Sequence, residues 1–231
     1  MVMQRTRLNA GAASRNAGVR GAARPLALAA LLLALAGCSA LPSPPAQSTR
    51  YDLGLVEAAP VSQAAVQLPP LVLADVQSPG LPEGLSSMYY RLAYANGQEL
   101  RPYQHARWSQ PPAQLVQQRL RARLGGQRAL LGSQDSVSLP SQNLPVATLR
   151  VDVEEFSQVF DSATSSRGVV QLRASLIGAQ TRIGNILLGQ QVFTAQVPAG
   201  TADAAGGARA LAAATDDALA QMNRWLQGLG H

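Results

Sequence analysis

One cysteine in the whole chain, Cys38, sits in the run LAGCS directly behind the uncharged apolar stretch PLALAALLLALAG. A lone cysteine closes no internal disulfide, so whatever folds here must hold together through a hydrophobic core. The apolar stretch is shorter than the roughly 20 residues that span a bilayer comfortably, and it follows a segment whose only charges are arginines. A cationic start, a short apolar core and small residues before a fixed point are the pattern of a secretory leader. The segment expected to fold therefore begins beyond Cys38.

LAGC behind such a core resembles the bacterial lipobox. In precursors of that kind the cysteine sulfur receives a diacylglycerol, and cleavage makes the cysteine an N-acylated N-terminus. The resemblance implies that 1–37 is a lipoprotein signal peptide and that Cys38 carries the lipid. The chain would then be held at the bacterial envelope, facing the periplasm. Ser39 stands where an inner-membrane retention signal shows Asp, which implies the outer membrane in preference to the inner.

Charge has to be read with the leader set aside. The formal net charge is +6, but five of the 19 basic residues (Arg5, Arg7, Arg15, Arg20, Arg24) precede Cys38 with no acid among them. Beyond them 14 arginines face 13 carboxylates, so the folding part lacks the excess charge that nucleic-acid binding requires. The stretch YQHARWSQPPAQLVQQRLRARL, Tyr103 to Leu124, interleaves aromatics with arginines as a nucleic-acid surface does. On a helix, however, Arg119 and Arg123 lie about 40° apart and Arg121 points nearly the opposite way. They flank an apolar stripe of Val116, Leu120 and Leu124, with Leu115 at its edge, where arginine stems cover apolar surface. Only Arg101 and Arg107 stay candidates for an anionic headgroup.

Segment 38–48, with its SALPSPPAQS run, is an extended tether that reaches roughly 30 Å. From 49 to 231 the chain is long enough for one domain with a sizeable core. RYDLGLV and VQLPPLVLADV each hold a short strand, the prolines of the second placing it at a sheet edge or at the start of a strand. MYYRLAYANGQELRPY predicts a hairpin closed by a type I′ turn at Asn96-Gly97. Pro111 and Pro112 open a helix, with Ser109 as its cap and a left-handed stop at Gly125-Gly126.

A short strand around Ala129–Leu131 follows. VATLRVDVEEFSQVF alternates through Leu149, Val151 and Val153 and changes phase at Phe156, which predicts a bulge. GVVQLRASLI alternates through Val170, Leu172, Ala174 and Leu176, and ILLGQQVFTAQV makes a third long strand. TADAAGGARALAAATDDALAQMNRWLQ predicts a long helix starting near Thr201 or Asp203, with Leu211, Ala218, Leu219, Met222 and Leu226 on one face. Strands and helices without βαβ alternation give an α+β fold: one two-layer domain, a mainly antiparallel sheet packed by two helices.

Residues suited to catalysis are sparse. His105 and His231 stand at no metal-ligand spacing, and neither a phosphate-binding loop nor a nucleophile elbow is present, so no metal, cofactor or enzymatic activity is expected. Asp152 and Glu154 share one strand face, with Glu155 turned away, as a hydrolase pair would. A solvated face opposite Val151 and Val153 accounts for them better. Asp216-Asp217 reads as the polar side of the last helix.

With these elements placed, the chain from about Thr49 to Leu226 resembles the ABC-type transport auxiliary lipoproteins, a family that includes relatives of paraquat-inducible protein C. The resemblance is carried by YDL at 51–53, by LPPLVLADVQSPG and above all by LRPYQHARWSQPPAQLVQQRL with its W-x-x-P-P motif. LRVDVEEF and ASLIGAQTRIGNILLGQQVFTAQVP fit later strands, with Gly178 where related chains carry an acidic turn residue; a changed turn cap is the expected consequence. The resemblance implies a non-catalytic docking or receiving component of an MCE-type transporter, whose permease and ATPase move lipid through a conduit. It makes Tyr103, Arg107, Trp108, Pro111 and Pro112 candidate partner contacts, with Trp108 favoured as a core anchor. Contact with phospholipid and self-association stay open. An assembly role at an outer-membrane barrel or secretin is the alternative.

Overall fold

The computed structural model describes residues 47–55, 68–81, 86–133, 146–181 and 184–231; the leader, Cys38 and most of the tether lie outside them. In chain order the elements are β1 (Thr49–Tyr51), β2 (Leu71–Leu73), β3 (Ser87–Leu92), the one-turn helix α1 (Ala93–Asn96) and β4 (Gly97–Trp108). Then come α2 (Pro112–Gly125), β5 (Leu130–Gly132), β6 (Ala147–Phe160), β7 (Ser166–Thr181), β8 (Gly184–Pro198) and α3 (Ala204–Gly228).

β6 is the spine of an eight-stranded mixed sheet. Along one edge it pairs antiparallel with β7, which pairs antiparallel with β8. Its other edge is shared: β2 runs parallel to Ala147–Leu149, an isolated bridge joins Gln77 to Asp152, and β3 runs parallel to Gln158–Phe160. β2 and β3 thus lie end to end. β4 and β1 extend the sheet beyond β3, and β5 extends it beyond β2. The prolines at 69 and 70 sit immediately before β2, whose two edges are both paired, so they mark the start of a strand and not a sheet edge.

Period-2 patterning decides which face is covered. Leu149, Val151 and Val153 of β6, and Val170, Leu172, Ala174 and Leu176 of β7, are fully buried against the helices. Between them Thr148, Asp152 and Glu154 are partly exposed and Arg150 is exposed on the opposite face. The phase change comes from a bulge between Val153 and Glu155. On the covered face lie α2, through Leu115, Val116, Leu120 and Leu124, and α3, through Leu211, Ala218, Leu219, Met222 and Leu226. This is the expected two-layer α+β domain, with Trp108 and Pro112 of the W-x-x-P-P stretch buried in it.

Four local expectations are corrected. The β3–β4 connection is the helical turn α1, and Gly97 has φ −69°, so no type I′ turn forms; Asn96 Oδ1 instead accepts from the Gln98 N–H at 3.2 Å. Ser109 does not cap α2. Its hydroxyl donates to Asp52 and its N–H to the Tyr51 carbonyl, while the Pro111 carbonyl receives the first helical N–H groups. Gly126 ends α2 in right-handed geometry (φ −74°) because the N–H groups of Gly126, Gln127 and Arg128 all turn back to the Leu124 carbonyl. Asp203, one of the two starts expected for the last helix, caps α3, accepting from the Gly206 N–H at 2.7 Å. Gly178 pairs with Ile186 inside the β7–β8 ladder and is no turn cap.

Candidate functional site

The W-x-x-P-P stretch is built into the core. Trp108, at the end of β4, is 1 % exposed and meets Phe156 of β6 edge to face, ring centroids 5.3 Å apart. Pro112 is buried at the first helical position, where no backbone donor is needed. Tyr103 is half-buried: its hydroxyl donates to Gln158 Oε1 at 2.8 Å, and burial raises its pKa well above the ordinary tyrosine value. Gln158 in turn donates to Ser166 Oγ at 2.7 Å, so this internal polar group is paired at both ends. Arg107 folds back on the Tyr103 and Ala106 carbonyls. Of the five candidate contacts, Trp108 and Pro112 therefore offer a partner no surface; Tyr103, Arg107 and Pro111 are partly exposed. The motif sets the angle at which β4 turns into α2.

Two of the three arginines of α2, Arg119 and Arg123, are employed between helices. Arg119 grips Asp216 of α3 with Nε at 2.8 Å and Nη2 at 2.6 Å, and Arg123 lies 3.9 Å from the same carboxylate. Hydrogen bonding to Asp216 raises the pKa of Arg119. The fork geometry suits this bidentate role, and a lysine would supply only a point charge. Arg101 pairs with Glu99. Neither α2 nor β4 thus presents a free basic face.

On the open face of the sheet a shallow groove of about 570 Å³ is lined by Asp75, Gln77, Ser133, Arg150 and Asp152 among others. One cation between two carboxylates gives it no strong preference for either sign of ligand. Glu154, the second member of the carboxylate pair, is tied to Arg173 Nε at 2.6 Å, and Glu155 lies on the other side of the bulge with Arg91. No group of three metal-ligating side chains converges among the described residues. No helix among them is long and apolar enough to cross a membrane.

The unexpected chemistry lies at the far end of the spine, near Ala147. There Ile186, Leu187 and Leu188 of β8 are 49 %, 59 % and 42 % exposed, and Leu229, just beyond α3, is 39 % exposed. Gly189 brings them together: a Cβ at that position would stand 3.0 Å from both Leu229 Cδ1 and Trp225 Cζ2. The strand has no neighbour on its outer edge among the described residues. Three adjacent apolar residues on an edge without a described neighbour form a patch of the kind that marks interaction surfaces. Their signal was present in the sequence as ILL, where alternation stops, but a strand with both faces covered looks the same.

Close by, Arg128 is 5 % exposed, and its three guanidinium nitrogens have no hydrogen-bond partner. Burial lowers its pKa. Burial, and then the charge of Arg128, also lower that of His231. Nothing in GGQRAL marked this arginine.

These features define a two-layer α+β domain whose conspicuous surface is one end of its sheet, with no assembled catalytic group among the described side chains. The chain belongs to the family described as the ABC-type transport auxiliary lipoprotein component, whose pattern matches residues 51–224. No curated protein matches it. A crystal structure of a Xanthomonas campestris protein assigned to the DUF330 family is similar, with a TM-score of 0.58, 18% identity and coverage of 80% of this chain and 94% of that one. An uncharacterised protein of solved structure matches with a TM-score of 0.54, 16% identity and coverage of 78% and 99%. At such identities these two likenesses speak for the fold alone. Family membership associates the protein with an ABC-type transport system and, as a lipoprotein component, with the cell envelope.

Proposed function

We propose that this protein is a non-catalytic docking component of an MCE-type ABC transporter that moves lipid between the inner and outer membranes. Acyl chains on Cys38 hold it to a membrane, preferentially the outer one, with the domain in the periplasm. The observation that carries the docking role is the apolar crest Ile186–Leu188 on the edge of β8 that has no neighbour among the described residues. β1 runs parallel to β4, with Thr49 opposite Ala106, and Arg107 lies opposite Ser87, three residues before Tyr90, which pairs with Gln158. The crest lies at the level of Thr148, since Ile177 pairs with both Thr148 and Leu187.

The chain therefore joins the domain about eight strand residues, roughly 27 Å, from the crest. The apolar edge of β8 thus lies apart from the strand with which the described domain begins, and it is the surface a conduit crossing the periplasm would meet. Strand addition to β8 supplies backbone hydrogen bonds, and the three apolar side chains supply buried area.

Photo-crosslinking from position 187 in cells tests this reading. Capture of an MCE-domain protein is expected from Leu187 and is lost in Leu188→Asp. Capture of an outer-membrane barrel or secretin, with no MCE protein, refutes the proposal and favours the assembly role. Cys38→Ala is expected to abolish acylation and release the protein from membranes; retention there contradicts the anchor.

A further inference from the structure

Arg128 poses a physical problem that the docking role leaves unsolved. Its side chain is nineteen-twentieths buried, and all three guanidinium nitrogens lack an acceptor among the described residues. An arginine keeps its charge in almost any setting, and an uncompensated buried charge costs several kcal/mol. Its surroundings repeat the pattern. Asn223 Oδ1 and His231 Nδ1 are likewise buried and unpartnered.

Neighbouring hydrogen bonds place these groups together. Asn223 Nδ2 and Gln227 Nε2 both donate to Gln127 Oε1, at 3.3 and 3.5 Å, so α3 is fastened beside residue 127. The His231 N–H donates to the Leu226 carbonyl at 2.9 Å, and the charge of Arg128 is felt at His231. Because the Asn223 amide nitrogen is committed to Gln127, its oxygen is the atom left open. The cluster therefore offers several N–H donors from one cation and one acceptor.

We infer that this cluster is a binding site for the phosphodiester headgroup of a phospholipid. The phosphate oxygens take the guanidinium fork, and a hydroxyl or amine of the headgroup donates to Asn223 Oδ1. Adjacent surface suits the rest of such a molecule. Leu229 stands two residues before His231, a span of at most about 7 Å, and Leu229 and Trp225 adjoin Gly189 and the crest. An amphiphile with its head on Arg128 has apolar surface for its chains within one molecular length. The turn Leu229–His231 is the way in: it is fixed to α3 by backbone hydrogen bonds, with no side-chain hydrogen bond among the described residues. The inference deepens the docking proposal and rests on it for the source of the ligand, lipid delivered at that end of the domain.

The test uses the mature chain, thermal unfolding and three probes: dihexanoyl phosphatidylglycerol below its micelle concentration, inorganic phosphate, and uncharged dihexanoylglycerol. Phosphatidylglycerol at about a hundred times its Kd is expected to raise the midpoint by on the order of 5 °C. Arg128→Met, which removes the buried charge, is expected to fold with a midpoint no lower than the parent and to bind at least about tenfold more weakly. Asn223→Ala keeps the cation and serves as a second variant; it is expected to weaken phosphatidylglycerol more than phosphate.

No response in the parent protein overturns the inference, as does an equal response in Arg128→Met or equal stabilisation by dihexanoylglycerol. Inorganic phosphate matching phosphatidylglycerol at equal concentration assigns the site to a free anion and removes the lipid. Capture of the MCE partner from position 187 is measured in the same Arg128→Met protein. Retained capture with lost lipid response separates the headgroup site from the docking surface.

Discussion

Gly168 fixes how closely α3 approaches the sheet, and replacing it tests the packing of α3 on β7. It lies in β7, paired to Gln158 and Val197. A Cβ there would stand 2.6 Å from the Ala210 carbonyl carbon and the Leu211 nitrogen, and 2.9 Å from the Ala210 oxygen. All three are helix backbone, so no side chain can swing aside. Ordinary contact begins near 3.4 Å, so Gly168→Ala must lift this part of α3 by about 0.8 Å, a gap that forfeits a quarter to a half of each nearby dispersion contact. Overpacking of this kind costs about 1–3 kcal/mol, and with backbone as the obstacle the upper end applies. Lower unfolded-chain entropy returns about 0.5–1 kcal/mol.

The net loss is about 2 kcal/mol, a fall in Tm on the order of 5–8 °C for a domain of this size. Urea unfolding followed by far-UV circular dichroism should show a lower midpoint at unchanged slope. Gly126→Ala is the control, since nothing lies within 4 Å of its Cβ position and its φ is −74°; it should match the parent or exceed it slightly. A Gly168→Ala protein with the parent's midpoint would refute the close-approach argument.

Other substitutions probe separate parts of the same reasoning. Trp108→Ala should cost about 3–5 kcal/mol by leaving a cavity against Phe156, while Trp108→Phe, if folded, should keep partner capture intact because the residue has no surface to lose. Asp216→Asn removes the shared anion of Arg119 and Arg123 and should lower stability by about 1 kcal/mol, given that the site is partly exposed; a double cycle with Arg119→Met should show coupling, and additive effects would refute the staple. Asp203→Ala should cost about 1 kcal/mol through lost capping. The pKa of Asp203 is depressed, first by the Gly206 N–H and then by the Thr201 hydroxyl. Its contribution is therefore complete above the ordinary aspartate value near 4 and is lost as pH falls through the lower folded value. The deficit of Asp203→Ala relative to the parent should shrink below about pH 4; a deficit constant down to pH 2 would show that charge plays no part.

The long elements were legible because their patterns are strong and local. Val170, Leu172, Ala174 and Leu176 alternate without a break, and Leu211, Ala218, Leu219, Met222 and Leu226 return at helical spacing; all nine are fully buried. The bulge before Phe156 was visible as a phase shift. What escaped were local choices settled by distant partners. Ser109 has the chemistry of a cap, yet Asp52, 57 residues earlier, claims its hydroxyl. Asn96-Gly97 has the composition of a tight hairpin turn, but four residues of helix bridge β3 and β4 instead. The end-to-end placement of β2 and β3 along one edge of β6 is a property of topology, and no window of sequence contains it.

The candidate site divides along the same line. W-x-x-P-P was conspicuous because it is built of rare residues, and rare residues mark places where the backbone must turn in only one way. Trp108 and Pro112 are spent on that turn. The residues that meet the outside are ordinary ones in unusual company: an isoleucine and two leucines on an edge strand, an arginine closed in with nothing to bind. A sequence shows what a side chain is able to do, whereas an interaction site is defined by what its neighbours fail to do for it. Arg119 and Arg128 sit nine positions apart with the same chemistry, yet Asp216 satisfies one and no described residue satisfies the other. Only the second leaves a buried charge for a ligand to satisfy, and it lies at the Ala147 end of the sheet.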